Sequence, residues 1–79
     1  MITTIIYSVN DEIKHCSGLH FDEAMRKVKD EFNLPVHQKA GRLLASQLVK
    51  KANEKGVTIL RIIVGAKTTY VNNSITLNN

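Results

Sequence analysis

Two stretches of the chain have the apolar and β-branched side chains that are typical of β-strands. Residues 2–9 are rich in β-branched side chains, and their alternation predicts one strand with a well-buried side. Residues 57–64 are almost continuously apolar or β-branched, as in a central strand covered on at least one face. Arg61 interrupts this run. Simple alternation places it on the side of Ile59 and Ile63, where it marks either a half-open sheet face or a partnered charge.

Helical periodicity governs the middle of the chain. Between residues 21 and 32 apolar residues recur at three- and four-residue steps, which predicts an amphipathic helix. The Asn33-Leu34-Pro35 break ends it, because the residue before a proline avoids the helical conformation while proline suits the first turn of a new helix. A second helix is therefore predicted from Pro35 to about Lys55, with Gly56 as its left-handed cap. Its apolar stripe consists of Val36, Ala40, Leu43, Leu44, Leu48 and Ala52.

The remaining segments are one irregular stretch and a C-terminal region with shorter strand patterns. Residues 10–19 mix polar side chains with a Ser-Gly pair and are predicted to form a loop or a ragged turn. Residues 65–67 are predicted to turn, and residues 68–71 and 74–77 resume the strand pattern. Asn72-Asn73 between them is either a bulge in one long strand, which we favour, or a second tight turn.

This order of elements predicts the fold class. The chain is expected to be a single small α+β domain spanning residues 1–79, in β-α-α-β-β order. Its two helices are expected to pack on one face of a mainly antiparallel three-stranded sheet.

Composition narrows the setting in which such a domain works. A chain of 79 residues with 5% aromatic residues and no tryptophan buries only a thin core, so a homodimer would supplement its stability. Cys16 is the one cysteine, so no internal disulfide can form, and we expect a cytoplasmic protein. The sequence has neither a basic leader nor a stretch of about 20 apolar residues, so we expect no signal peptide and no membrane span.

The charge of the chain favours polyanions if it is clustered. Eleven basic and seven acidic residues give a net charge of +4 and a pI near 9.5. On the second helix, polar and basic side chains fall opposite the leucines and form a face without an acid. Such side chains donate to phosphates in nucleic-acid complexes, and the other interpretation is a solvated helix face that happens to be basic. The predicted contact residues are Lys39, Arg42, Ser46, Lys50, Lys51 and Asn53.

Four residues carry the imidazole and thiol groups that a metal site or a catalytic pair would need, namely His15, Cys16, His20 and His37. A tetrahedral zinc site uses these donors, but their spacing matches no familiar zinc finger. Neighbours in sequence such as His15 and Cys16 are not thereby a catalytic dyad, since activation depends on geometry in space. We therefore expect no catalytic residue, no metal and no cofactor.

These patterns lead to two hypotheses of function. The first is a small non-enzymatic regulatory protein that binds nucleic acid, either DNA or RNA, through the basic face of its second helix. The alternative is a protein-binding inhibitor or adaptor, of the kind that phages and mobile elements encode. It would act through the outer sheet face or through the edge strand at residues 68–77.

Overall fold

The chain folds into two strands, two helices and two further strands, and the computed structural model describes residues 1–36 and 45–72. The predicted α+β class is confirmed, but the order is β-β-α-α-β-β. The elements are β1 (Thr3–Val9), β2 (Glu12–Gly18), α1 (Phe21–Phe32), α2 (Ala45–Glu54), β3 (Val57–Val64) and β4 (Lys67–Val71).

The strands form one antiparallel sheet in the order β2-β1-β3-β4. Two hairpins, β1–β2 and β3–β4, are joined through the central pair of β1 and β3. The prediction of three strands is therefore corrected to four within the described residues. Both helices pack on one side of this sheet, with α1 against β1 and β2 and α2 against β3.

β2 lies where a loop was expected, because residues 10–19 complete a hairpin with β1. Asn10 and Asp11 have positive φ values of 52° and 65° and connect the closing pair Val9 and Glu12. Two-residue turns with positive φ at both positions match the twist of antiparallel strands. Asparagine and aspartate tolerate that conformation better than most residues do. The loop prediction for this segment is wrong.

A β-bulge divides the alternation of β3 into two parts. The register between β1 and β3 shifts by one residue at Leu60, and a bulge of this kind moves every later side chain by one place. Ile59 and Ile62 therefore both enter the core, with exposures of 1% and 0%, whereas Arg61 is exposed. The predicted side for Arg61 is right with respect to Ile63 and wrong with respect to Ile59, because the bulge lies between the two.

α1 has the predicted bounds and ends in a defined cap. Asn33 is left-handed, with a φ of 52°. The amide of Leu34 donates to the carbonyl of Lys29 at 2.9 Å, and the amide of Asn33 donates to the carbonyl of Asp30 at 3.4 Å. This pair of hydrogen bonds satisfies two carbonyls at the end of the helix. The buried face of α1 is formed by Ala24, Met25 and Val28.

The chain between the helices leaves α1 by a tight turn. The amide of Val36 donates to the carbonyl of Leu34 at 2.9 Å, so Pro35 lies at the centre of a three-residue turn. Leu34 and Val36 are both buried. The prediction that the second helix begins at Pro35 is therefore wrong for Pro35 and Val36, and its residues 37–44 lie outside the described part of the chain.

Two glycines with positive φ separate the last three elements. Gly56 follows α2 with a φ of 83°, as its predicted role as a left-handed cap requires, and Gly65 turns between β3 and β4 with a φ of 64°. The turn was predicted to include Lys67, but this residue is the first of β4. The amide of Asn72 still donates to the carbonyl of Leu60. The predicted strand at residues 74–77 lies outside the described residues, as does the choice between a bulge and a turn at Asn72-Asn73.

The core lies between the helices and one face of the sheet. Its largest fully buried side chains are Ile5, Met25, Leu48, Ile59, Ile62, Val28, Val57 and Thr3. The ring of Tyr7 meets that of Phe32 edge to face at 5.5 Å, and its hydroxyl donates to the Glu31 carboxylate at 3.3 Å. Burial, and next the charge of Glu31, raise the pKa of Tyr7. No helix within the described ranges 1–36 and 45–72 is long and apolar enough to cross a membrane.

Candidate nucleic-acid interface

The exposed side of α2 carries three of the predicted contact residues in one row. Ser46, Lys50 and Asn53 lie at steps of four and three residues and are all exposed. This spacing places them on one helix face. Leu48 and Ala52, on the opposite side of α2, are fully buried. The row therefore presents a hydroxyl, an ammonium group and an amide to solvent, all of which can donate to phosphate oxygens.

Lys51 stands apart from this row. It is half-buried, and its ammonium nitrogen lies 3.6 Å from the carboxylate of Glu54. Glu54 is also one turn beyond Lys50 on the same helix, so an acid borders the face that was expected to have none. An exposed pair of this kind contributes about 0–1 kcal/mol to stability. Lys51 is consequently a weaker candidate for a phosphate contact than Lys50 is.

Two predicted contact residues, Lys39 and Arg42, lie in residues 37–44, outside the described part of the chain. Their assignment stays a prediction. The described members of the predicted interface are Ser46, Lys50, Lys51 and Asn53.

Charge is divided between the two halves of the fold. Residues 1–31 contain four basic and six acidic residues, whereas residues 32–79 contain seven basic residues and one acidic residue, Glu54. The first group covers β1, β2 and nearly all of α1, while the second includes α2, β3 and β4. β2 and β4 are the opposite edges of the sheet. Of the seven basic residues, the five that the structure describes lie in or beside α2, β3 and β4, so their charge lies towards the β4 edge: Lys50, Lys51, Lys55, Arg61 and Lys67. Such an uneven distribution attracts a polyanion from solution and orients it.

The sheet side opposite the helices is a second distinctive surface, which we call the uncovered face. Pairing places His15, Ile6, Arg61 and Val71 in one row across all four strands. Ile13 is 70% exposed and Val71 is 42% exposed on this face. The uncovered face consists of Thr4, Ile6 and Ser8 from β1, Ile13, His15 and Ser17 from β2, Thr58, Arg61 and Ile63 from β3, and Thr68 and Val71 from β4.

The full set of residues on the uncovered face could not be predicted, because the sequence pattern of β2 predicts a loop. The signal available in the sequence was the Asn10-Asp11 pair, which suits a hairpin turn. β2 shows no apolar side because its large apolar residue, Ile13, lies on the uncovered face, while Cys16 lies towards the helices.

Strand alternation separates Cys16 from His15. Cys16 is half-buried against the core, and its thiol donates to the carbonyl of Ala24 at 3.6 Å. His15 pairs with Ile6 and lies on the uncovered face. Burial raises the pKa of the Cys16 thiol, the nearby Lys27 lowers it and Glu31 raises it further. A buried neutral thiol is a poor nucleophile.

His20 and His37 carry the other two imidazole groups of the sequence. His20 is the N-terminal cap residue of α1, without a side-chain capping hydrogen bond, and His37 lies outside the described residues. Among the residues that the structure describes, no group of three or more His, Cys, Asp or Glu side chains could hold a metal ion.

Comparison with known proteins gives no family to which the chain can be assigned. No protein-family model, no curated protein and no solved structure matches it.

Proposed function

We propose that this chain is a small non-enzymatic regulatory protein that binds nucleic acid, with the exposed basic side of α2 as its phosphate-contacting surface. The observation that carries the proposal is the division of charge, since seven basic residues and one acidic residue occupy positions 32–79. Phosphate contacts by lysine and arginine supply most of the sequence-independent affinity of proteins for nucleic acid.

The geometry of α2 supports Lys50 as the central contact. Lys50 is exposed between Ser46 and Asn53, so one ammonium group and two neutral donors point to the same side. Neutral donors next to a lysine are common phosphate ligands. Lys39 and Arg42 precede this row in sequence and are proposed to extend it, while Lys51 adds charge beside it.

The proposal of a binding protein and not an enzyme is supported by the surroundings of Cys16. Its thiol is held towards Ala24 and its pKa is raised, which favours the neutral form over the reactive thiolate. A protein with one free thiol also suits a reducing compartment, and a cytoplasmic location is part of the proposal.

The experiment is a binding titration with a charge-matched control. Fluorescence anisotropy of a labelled duplex is measured with the wild type, with Lys50→Gln and with Arg26→Gln, from about 50 to 200 mM salt. Arg26 is exposed on α1, in the acidic half of the chain. Lys50→Gln is expected to weaken binding and to lower the salt slope by about 1, whereas Arg26→Gln leaves both unchanged.

A second comparison covers the contact residues that precede α2. The triple substitution of Lys39, Arg42 and Lys50 by alanine is expected to abolish binding above about 100 mM salt. If the wild type binds neither DNA nor RNA at low salt, the proposal is wrong. Equal losses for Lys50→Gln and Arg26→Gln would remove α2 as the contact surface.

A protein-binding role is the second candidate, and the uncovered face favours it. Ile13 and Val71 are exposed there, next to the half-buried Ile6 and Ile63, and an apolar patch of this kind is typical of protein contacts. An inhibitor or adaptor would pack apolar side chains of its partner onto this face, or add a strand at β4. A homodimer through this face is one form of the proposal.

Oligomeric state separates the homodimer from a different partner. Sedimentation equilibrium is measured for the wild type and for Ile13→Lys across a wide range of concentration. A wild-type dimer that Ile13→Lys converts to monomer would support self-association through the uncovered face. A wild type that stays monomeric at all concentrations excludes the homodimer.

A further inference from the structure

We infer that the nucleic acid bound by this chain is a duplex, held by its phosphate backbone, and not a single strand held by stacking of its bases. This inference rests on the proposed function and specifies its ligand. Three features of the molecule support it: the positions of the aromatic side chains, the composition of the uncovered face and the exposed row of donors on α2.

One aromatic side chain of the protein is buried in the core, and the other three are half-buried against it. The chain has two tyrosines, two phenylalanines and no tryptophan. Tyr7 is 2% exposed, and Phe21, Phe32 and Tyr70 pack against the core cluster. The segments outside the described structure, residues 37–44 and 73–79, contain no aromatic residue in their sequence. No Phe, Tyr or Trp ring is therefore fully exposed on the surface as a platform for an unpaired base, which is the usual contact of proteins that bind single strands.

The uncovered face is an open antiparallel sheet surface, but it lacks the aromatic side chains that bind single-stranded RNA in other proteins. An open antiparallel sheet binds single-stranded RNA when aromatic rings stand on its central strands. Here the central strands β1 and β3 present Thr4, Ile6 and Ile63 in those places. The planar groups on the face are His15 and Arg61, and Ile6 lies between them in the same row, so they are two strand spacings, or about 10 Å, apart.

The exposed row on α2 suits a regular array of charge. Ser46, Lys50 and Asn53 recur about once per helical turn, and the ten residues of α2 extend for about 15 Å. The phosphates of one strand of a duplex advance by about 3.4 Å each along its axis. The row, with one ammonium group between two neutral donors, is therefore long enough to reach more than one phosphate of a duplex, whose positions are fixed in advance.

Counterion release favours the same choice. When binding depends on phosphate contacts alone, each contact changes the salt slope by about 0.9 for a duplex and about 0.7 for a single strand. The duplex also carries the higher density of charge. Without stacking to compensate, the same lysine and arginine side chains bind the duplex more tightly than either separated strand.

The test compares one sequence in its duplex and single-stranded forms. Anisotropy titrations use a labelled duplex of about 20 base pairs, each separated strand and a duplex RNA of the same length, across a salt series. The duplex is expected to bind at least about tenfold more tightly than either strand, with a steeper salt slope. Lys50→Gln is expected to weaken duplex binding.

Arg61→Gln is the matched control. Arg61 belongs to the same basic half of the chain but lies on the uncovered face. This variant is expected to leave duplex affinity within about twofold of the wild type, because one remote charge adds little at moderate salt. Circular dichroism of both variants would establish that they are folded.

The possible results separate the inference from the function on which it rests. Single strands that bind as tightly as the duplex, or whose binding is lost in Arg61→Gln or His15→Ala, would overturn the inference while leaving nucleic-acid binding in place. If none of the four probes binds, the proposed function itself is overturned.

Discussion

The two faces of the sheet are built from the same strands and differ in how far their side chains are exposed. On the covered face, Thr3, Ile5 and Tyr7 of β1 are between 0% and 2% exposed. On the uncovered face, the intervening Thr4 and Ile6 are half-buried. Alternation of side chains along one strand produces both environments, because neighbouring residues point in opposite directions.

The difference shows that one face of the sheet holds the core, while no helix of the described residues covers the other. The covered face joins α1 and α2 into a single core cluster with the sheet. The uncovered face has isoleucines at Ile6, Ile13 and Ile63, yet no helix of the described chain lies over them. Substitutions on the two faces of β1 should therefore have different consequences, and the largest contrast is expected between adjacent isoleucines.

Ile5→Ala and Ile6→Ala form the strongest test of this comparison. Ile5 is fully buried, so its truncation leaves a cavity and is expected to lower the free energy of unfolding by about 2–5 kcal/mol. Ile6 is half-buried on the uncovered face, and its truncation is expected to cost about 1 kcal/mol or less. Urea denaturation followed by circular dichroism measures both values.

One result would contradict the expected difference between the two faces. Equal losses of stability for Ile5→Ala and Ile6→Ala would mean that something covers the uncovered face in solution. Repeating the measurement at several protein concentrations would then identify a second copy, because dimer stability depends on concentration.

Gly18→Ala is expected to have the next largest effect. A Cβ atom at Gly18 would lie 2.6 Å from the backbone nitrogen of Ala24, where β2 approaches the start of α1. Backbone atoms cannot yield as a flexible side chain does, so the strand and the helix must move apart, at a cost of about 1–3 kcal/mol. Thermal unfolding would detect the loss. Ser17→Ala, one residue earlier and on the uncovered face, is the control and should stay within about 0.5 kcal/mol of the wild type.

The covered face could be predicted from the sequence to the extent that a regular period reveals it. The bounds of α1 and the cap at Gly56 were predicted correctly, since each follows from spacing or from glycine chemistry within one element. Alternation divided the residues of β1 between two sides but did not say which side is buried. The side of Ile62 could not be predicted. It depends on the bulge at Leu60, which appears only when β1 and β3 pair.

The uncovered face was harder to predict because an exposed edge strand needs no apolar side. β2 carries Glu12, Lys14 and Cys16 towards one side and Ile13 and His15 towards the other, so neither side shows a hydrophobic period. For the interface, exposure of Ser46, Lys50 and Asn53 followed from helical spacing, but the ion pair between Lys51 and Glu54 depends on side-chain positions that spacing alone does not give.

Thr3→Val is expected to increase stability by about 1 kcal/mol, a smaller effect of opposite sign. Thr3 is fully buried on the covered face, and its hydroxyl has no hydrogen-bond partner among the described residues. Replacing a buried, unpaired hydroxyl by a methyl group of the same shape removes a desolvation penalty. Thr4→Val is the control on the uncovered face, where the Thr4 hydroxyl lies 3.2 Å from that of Ser17. Only Thr3→Val should raise the urea midpoint; a lower midpoint would show that the Thr3 hydroxyl is paired in solution.

The smallest expected effect is the difference in the reactivity of Cys16 between the folded and the unfolded chain. Burial on the covered face raises the pKa of its thiol above the ordinary value of 9.0, so the folded chain holds this proton to higher pH than the unfolded chain does. The stability that the neutral thiol contributes is fully present below the unfolded pKa and is lost as the pH rises above about 9 towards the folded pKa. Because the thiolate is the reactive form, alkylation at about pH 8 should be several-fold slower in buffer than in concentrated urea. Mass spectrometry of the alkylated chain over time measures both rates, and equal rates would mean that folding does not protect the Cys16 thiol, contrary to its half-buried position against the core.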